Sequence, residues 1–144
     1  MEQTKYNGVL ELTFSSFSEN GVREEVGTEH YRAQAHSDGD VTYLGWTAAD
    51  GRMTMEFQKD LVVVLREGED ASYRMELEFA KETLMELETP HGVLQFSVRA
   101  SDLTWHKTPD FPEHGGMDFL LVYDMLDRGH TIATRMLAGK VTME

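Results

Sequence analysis

Apolar and polar residues alternate with period two over most of the chain. Leu10, Leu12 and Phe14 alternate with Glu11 and Thr13; Met53, Met55 and Phe57 with Arg52, Thr54 and Glu56; Leu94, Phe96, Val98 and Ala100 with Gln95, Ser97 and Arg99. Neighbouring side chains on a strand point to opposite faces, so each run predicts a strand with one apolar and one wet face. "LVVVLRE" (61–67) and "MDFLLVYDML" (117–126) are apolar on both sides and predict strands covered on both faces. Between the runs stand "ENG" (19–21), "SDGD" (37–40), "ADG" (49–51) and "DRG" (127–129). Asn and Gly tolerate positive φ, so these pieces predict hairpin turns. Short strands joined by such turns predict an antiparallel sandwich or barrel.

One segment pulls the other way. "SYRMELEFAKETLMELETP" (72–90) is rich in Glu, Met, Leu, Lys and Ala, all good helix formers. Tyr73, Leu77, Ala80, Leu84 and Leu87 form a helical stripe, and Ser72 is placed to cap it. The same residues also alternate, with Tyr73, Met75, Leu77 and Phe79 set against Arg74, Glu76 and Glu78. Propensity favours a helix, and alternation allows a hairpin turning near Ala80-Lys81. The local signals leave both open.

The order of the pieces resembles a known family. "VTYLGW", "GRMTMEF", "VVVLREGE", "YRMELEF", "ETPHGVLQFSV" and "FLLVYDM" follow one another across residues 40 to 126. That succession is similar to the YwiB-like bacterial proteins, a family of unknown function. It comprises an early tyrosine strand, an arginine-glycine turn, a threonine-proline-x-glycine turn and a late tyrosine strand. Leu87 departs from the pattern, standing where the family has an aromatic residue. The resemblance implies a calycin-like barrel and makes 70–89 a hairpin. Thr89-Pro90-His91-Gly92 then joins two antiparallel strands, since proline presets φ and cannot donate to a ladder, and glycine accepts a conformation other residues avoid.

Composition narrows the classes of function. A chain of 144 residues is of single-domain length, and residues 1–144 are read as one domain. It buries roughly 68–70% of the surface its unfolded form exposes, enough to fold without staples. There is no cysteine, which removes disulfides, thiolate zinc sites and cysteine nucleophiles and fits a cytoplasmic setting. The start, "MEQTKYNGVLELTFSS", lacks the basic-then-apolar order of a signal peptide, and no segment approaches the roughly 20 apolar residues of a membrane helix. The net charge of −13 is spread over scattered carboxylates, Glu24 and Glu25 among them, which reads as a solvated face. It disfavours nucleic acid and anionic membranes as partners.

Little in the sequence carries catalytic chemistry. No serine lies in a nucleophile elbow, and "GVREEVG" lacks the spacing and the lysine of a phosphate loop. No catalytic residue, cofactor or metal is therefore expected. His106, Asp110, Glu113 and His114 are ligand types gathered in the proline-rich 106–116 connection, without the spacing of a defined metal motif. His30 and His36 share a strand face but stand about 20 Å apart. Arg66, Arg74, Arg99 and Arg135 are more telling, because each sits on an apolar strand. An arginine pointing into a closed sheet needs a carboxylate partner or a ligand anion.

The expectation is all-β: a single antiparallel, mostly up-and-down, calycin-like or lipocalin-like β-barrel of about eight to ten strands, any helix being a short turn in 106–116. Its mouth would bind a small, partly apolar or amphipathic acid. Arg66 or Arg74 would engage the acidic group, and Trp46, Tyr43 and Tyr123 would pack the body. The competing expectation is a filled barrel acting through its outer face, as a homodimer or with a protein partner.

Overall fold

Ten antiparallel strands make up most of the computed structural model, which describes residues 4–18 and 20–144. They are β1 (Tyr6–Ser18), β2 (Arg23–Asp38), β3 (Val41–Ala48), β4 (Gly51–Gln58), β5 (Leu61–Glu67), β6 (Ser72–Glu78), β7 (Glu82–Thr89), β8 (Gly92–Lys107), β9 (Gly116–Asp127) and β10 (His130–Met143). Each strand pairs with the next in sequence, and β1 also pairs with β10, so the sheet closes into an up-and-down barrel. Residues 1–3 and Glu19 lie outside the described residues. With them go the first residues of the N-terminal reading, part of the 19–21 turn, and the side chains of Glu24 and Glu25.

Residues 72–90 form the β6–β7 hairpin in place of the helix that propensity favours. It turns where alternation allowed, with Ala80 at φ 59°. Burial of Met75, Leu77 and Met85 on one face outweighs the small helix preference of exposed Glu and Lys. At the β7–β8 turn Gly92 takes φ 128°. The Thr89 hydroxyl accepts from the His91 amide at 3.2 Å and donates to the Gly92 carbonyl at 2.8 Å. Arg128 and Gly129 both have positive φ, as a two-residue type I′ hairpin requires.

Residues opposite each other in an antiparallel ladder share a face, so the register sorts inside from outside. Leu10, Leu44, Met55, Phe57, Val62, Val64, Met75, Leu77, Val98 and Leu121 point inward and are at most 1% exposed. A void able to hold water would leave its lining accessible, so the middle of the barrel is packed solid. Ten strands enclose more space than eight. Large rings take it up, Phe57 lying 5.5 Å from Trp105 and 5.3 Å from Phe119. The outer face carries Glu11, Arg32, Arg52, Glu56, Glu76 and Glu86. That is the reverse of a membrane-spanning barrel, whose outer band is apolar. No helix of the described chain is long and apolar enough to cross a membrane.

The two ends differ. At one, the β8–β9 connection folds inward and buries Phe111, while Lys107 donates to the buried Thr42 hydroxyl at 2.9 Å. This connection is a succession of hydrogen-bonded turns, with the His114 amide donating to the Asp110 carbonyl at 3.0 Å. The other end is ringed by the β1–β2, β3–β4, β5–β6, β7–β8 and β9–β10 turns and stays open.

Two glycines make room for phenylalanines across the ladder. Gly139 lies opposite Phe119 and Gly27 opposite Phe14, and a Cβ on either would run into the facing ring. Gly139→Ala is therefore expected to destabilise by about 1–3 kcal/mol through overpacking. Urea denaturation should show the loss, and Phe119→Leu in the same chain should recover part of it.

Candidate functional site

A ladder of inward-facing residues rings the open end: Trp46 opposite Met53, Met53 opposite Arg66, Arg66 opposite Tyr73, Tyr73 opposite Leu87, and Leu87 opposite Leu94. On the far side Tyr123 lies opposite Arg135. Arg66 on β5 and Arg135 on β10 are five strands apart in a ring of ten and so stand on opposite sides of the opening. Tyr73 comes between them, and both guanidinium charges act on its phenol.

Each arginine sits in a different setting. The Arg66 side chain is 22% exposed and reaches Asp50 of the β3–β4 turn at 2.6 Å. That hydrogen bond and charge hold the Asp50 carboxyl below its usual range. Arg135 forms no ion pair among the described residues and hydrogen-bonds the Tyr123 phenol. Tyr123 is 4% exposed, and burial pushes its pKa up to about 12 against the pull of Arg135. Burial raises Tyr73 as well, opposed by Arg66 and Arg135. Tyr31 packs 6.3 Å from Trp46 and hydrogen-bonds the Glu29 carboxylate, which faces the same interior opposite Leu12. Among the described side chains the opening therefore holds the guanidinium groups of Arg66 and Arg135, the Glu29 carboxylate and the phenols of Tyr31, Tyr73 and Tyr123 over an apolar floor.

Of the residues singled out from sequence, Arg66, Arg135, Trp46 and Tyr123 converge here. Trp46 at 3% exposure and Tyr123 at 4% are floor rather than wall. Arg74 and Tyr43 do not join them. Arg74 lies opposite Glu86 on the outer face and pairs with Glu76 at 3.0 Å. Tyr43 lies opposite His36 outside the barrel, their rings stacked at 4.5 Å. Both alternate with inward residues, Arg74 with Tyr73 and Met75, Tyr43 with Thr42 and Leu44, so the pleat turns them out. Arg99 is outside too, 3.8 Å from Asp124. The sequence did not single out Glu29 or Tyr31. The signal for them, and for Arg135, is parity: Tyr31 and Glu29 share it with Ala33 and Ala35, and Arg135 with Ala133 and Leu137.

The histidines are dispersed. His30 pairs with Glu11 at 3.4 Å, and burial followed by the charge of Lys5 lowers the His36 pKa. In the 106–116 connection Asp110 accepts from Thr108 at 2.8 Å and Glu113 from Tyr6 at 3.2 Å. Among the described residues no group of three His, Asp or Glu side chains is placed to hold a metal ion.

No protein-family model matches the chain, and no curated protein matches it in sequence. A solved structure shares the fold. The crystal structure of YwiB from Bacillus subtilis aligns with a TM-score of 0.81 over 99% of this chain and 95% of that one, at 12% identity. At that identity the likeness concerns the fold, and the fold is the barrel that the resemblance implied.

The buried phenol sets an alkaline limit. A tyrosine whose folded pKa lies above its unfolded value near 10 keeps its full contribution below pH 10 and loses it as pH rises toward 12. Stability should fall over that window by about 3 kcal/mol at most from Tyr123. Urea midpoints measured from pH 9 to 12 should fall less steeply for Tyr123→Phe.

Proposed function

We propose that the protein is a cytoplasmic small-molecule binding module that takes a small, partly apolar acid at the open end of the barrel. Arg135 and Arg66 hold the acid group, the tyrosine hydroxyls add hydrogen bonds, and the apolar part rests on Met53, Leu87, Leu94 and Phe96. The observation that carries this reading is the placement of two inward-facing arginines on opposite sides of one mouth, over an otherwise apolar interior. A guanidinium there offers planar, bidentate hydrogen bonding to a carboxylate, Arg66 from a largely covered position and Arg135 from an exposed one beside the buried Tyr123. Arg66 is already paired with Asp50, so Arg135 is the main anchor.

The solid interior limits what fits. A chain cannot pass down the barrel axis, so only a few carbons beyond the head group gain from burial, at about 0.8 kcal/mol per CH₂. In a chain carrying Trp105→Phe, Trp46 is the sole tryptophan and lies beside the site. Straight-chain fatty acids should change its emission, with affinity rising over the first carbons and then levelling off. Arg135→Gln should weaken binding at least tenfold and Arg74→Gln leave it unchanged. Emission that no acid alters in the folded protein would remove the reading.

The filled interior also favours a second reading, an interaction protein whose outer face meets a second copy or another protein. Phe79 at 67%, Leu84 at 59% and Val93 at 57% are its exposed apolar residues around β6, β7 and β8. Light scattering over a dilution series should then show a dimer that Leu84→Glu dissociates. A strict monomer at every concentration counts against self-association.

A further inference from the structure

The outer face carries a second group of cations, apart from the mouth. Gly45 lies mid-strand on β3, its bare outer side between Gln34 of β2 and Thr54 of β4. The missing side chain leaves the floor of a cleft of about 340 Å³, lined by Asn7, Arg32, Gln34, Thr47, Arg52 and Glu144 among others. A smaller hollow of about 180 Å³ shares Gln34, Gly45 and Arg52 with it and adds Lys5, His36 and Tyr43.

The position of Arg52 is informative. Its partner across the ladder on β5 is Glu67, on the same outer face, yet the two form no ion pair. The Arg52 guanidinium turns the other way and lies over Gly45, its Nη2 atom 2.9 Å from where a Cβ would sit. Arg32 approaches from β2, two strands or about 10 Å away along the sheet, within reach of the same point for two long side chains. Lys5 adds a third charge, felt at His36. Among the described residues none of the three is in an ion pair. The carboxylates around them are Glu67 opposite Arg52, Glu144 on the cleft wall, Asp38 near His36, and Glu56 opposite Tyr43.

Arg32, Arg52 and Lys5 converge on one cleft, with Arg52 turned away from Glu67, so donors in no ion pair among the described residues line a common space. Gly45 itself is buried, and with no Cβ there the Arg52 guanidinium settles close to the β3 backbone at the bottom of the cleft. Asn7 and Gln34 bring amide donors to its edge, their side chains 3.5 Å apart. We propose that the Gly45 cleft binds a small oxyanion carrying at least two negative charges, a phosphate ester or a polycarboxylate. Arg52 and Arg32 grip it from two sides, and Gln34, Asn7 and Lys5 complete its shell. The size suits a small molecule, since ligand sites begin at about 300 Å³. The site lies outside the barrel and does not rest on the reading of the mouth.

Calorimetric titration of the full chain with pyrophosphate and with citrate tests it, the stronger of the two identifying the head group. Binding is expected to fall at least tenfold in Arg52→Ala and in Arg32→Ala, and severalfold between 50 and 200 mM salt. Gly45→Ala fills the floor against the movable end of Arg52 and should weaken binding while the far-ultraviolet dichroism stays unchanged. Arg135→Gln should leave it intact. No heat with either probe overturns the proposal. So does an affinity that Arg52→Ala leaves unchanged, or one that Arg135→Gln abolishes, since the anion would then sit elsewhere.

Discussion

Eleven residue pairs, from Gly8 with Met143 to Ser18 with Ala133, join the first strand to the last. Every other strand pairing is between neighbours in sequence and needs only a short turn or, for β8 and β9, the 108–115 connection. The β1–β10 ladder closes a loop of nearly the whole chain, and without it both strands would be edges with unpaired amides and carbonyls. Closure also gives the period-two pattern its meaning. Once the sheet is a ring, one face of every strand is inside and the other outside, and the parity of a residue decides its surroundings.

Parity explains why the two ends can do different work. The interior is apolar through its middle because leucine, valine, methionine and phenylalanine keep the inward positions of β1, β4, β5, β6 and β9. Polar residues hold inward parity only near the rims. Lys107 and Thr42 satisfy each other at the end that the β8–β9 connection covers. At the open end the inward polar residues include, among those described, Arg66, Arg135, Glu29, Ser16 and the phenols of Tyr31, Tyr73 and Tyr123. A buried unpaired guanidinium is too costly for a packed middle, whereas a rim lets it stay partly wet. The rim is thus where this fold can hold a charge that faces inward.

The same rule separates what the sequence discloses from what it hides. The strands of β1, β4 and β8 are legible because their alternation is clean. The β6–β7 hairpin is not legible locally, since "ELEFAKETLMEL" fits a helix as well as a strand, and only the apolar face offered by β5 and β8 decides between them. Arg66 closes "LVVVLRE", a run apolar on both sides, so its direction cannot be read until Met53 is known to lie opposite. Tyr43 is similar: "VTYLGW" mixes polar and apolar at both parities, and only the pairing of Trp46 with Ala33 puts Tyr43 outside. Arg74 is the instructive miss. Its alternation with Tyr73, Met75 and Leu77 is clean, and parity alone turns it outward. Glu29 and Tyr31 escape notice because an inward carboxylate breaks the apolar pattern by which inward faces are recognised.

Charge on the two faces works under different screening. At the mouth Arg66 is largely covered, so its field acts through low-dielectric surroundings and salt weakens it little, whereas Arg135 is exposed and borders the buried Tyr123. Around Gly45 the cations lie on the open outer face, where about 8 Å of physiological salt solution screens a charge. One guanidinium suffices to fix an acid in the first setting. In the second, several must converge, and a position without a side chain lets Arg52 lie over the β3 backbone beside the cleft. Gly45 provides that position because β3 is held on both sides by β2 and β4 and keeps its strand geometry without a side chain of its own. The closed ladder therefore underlies both clusters, fixing which arginines turn in at the rim and which gather around Gly45 on the outside.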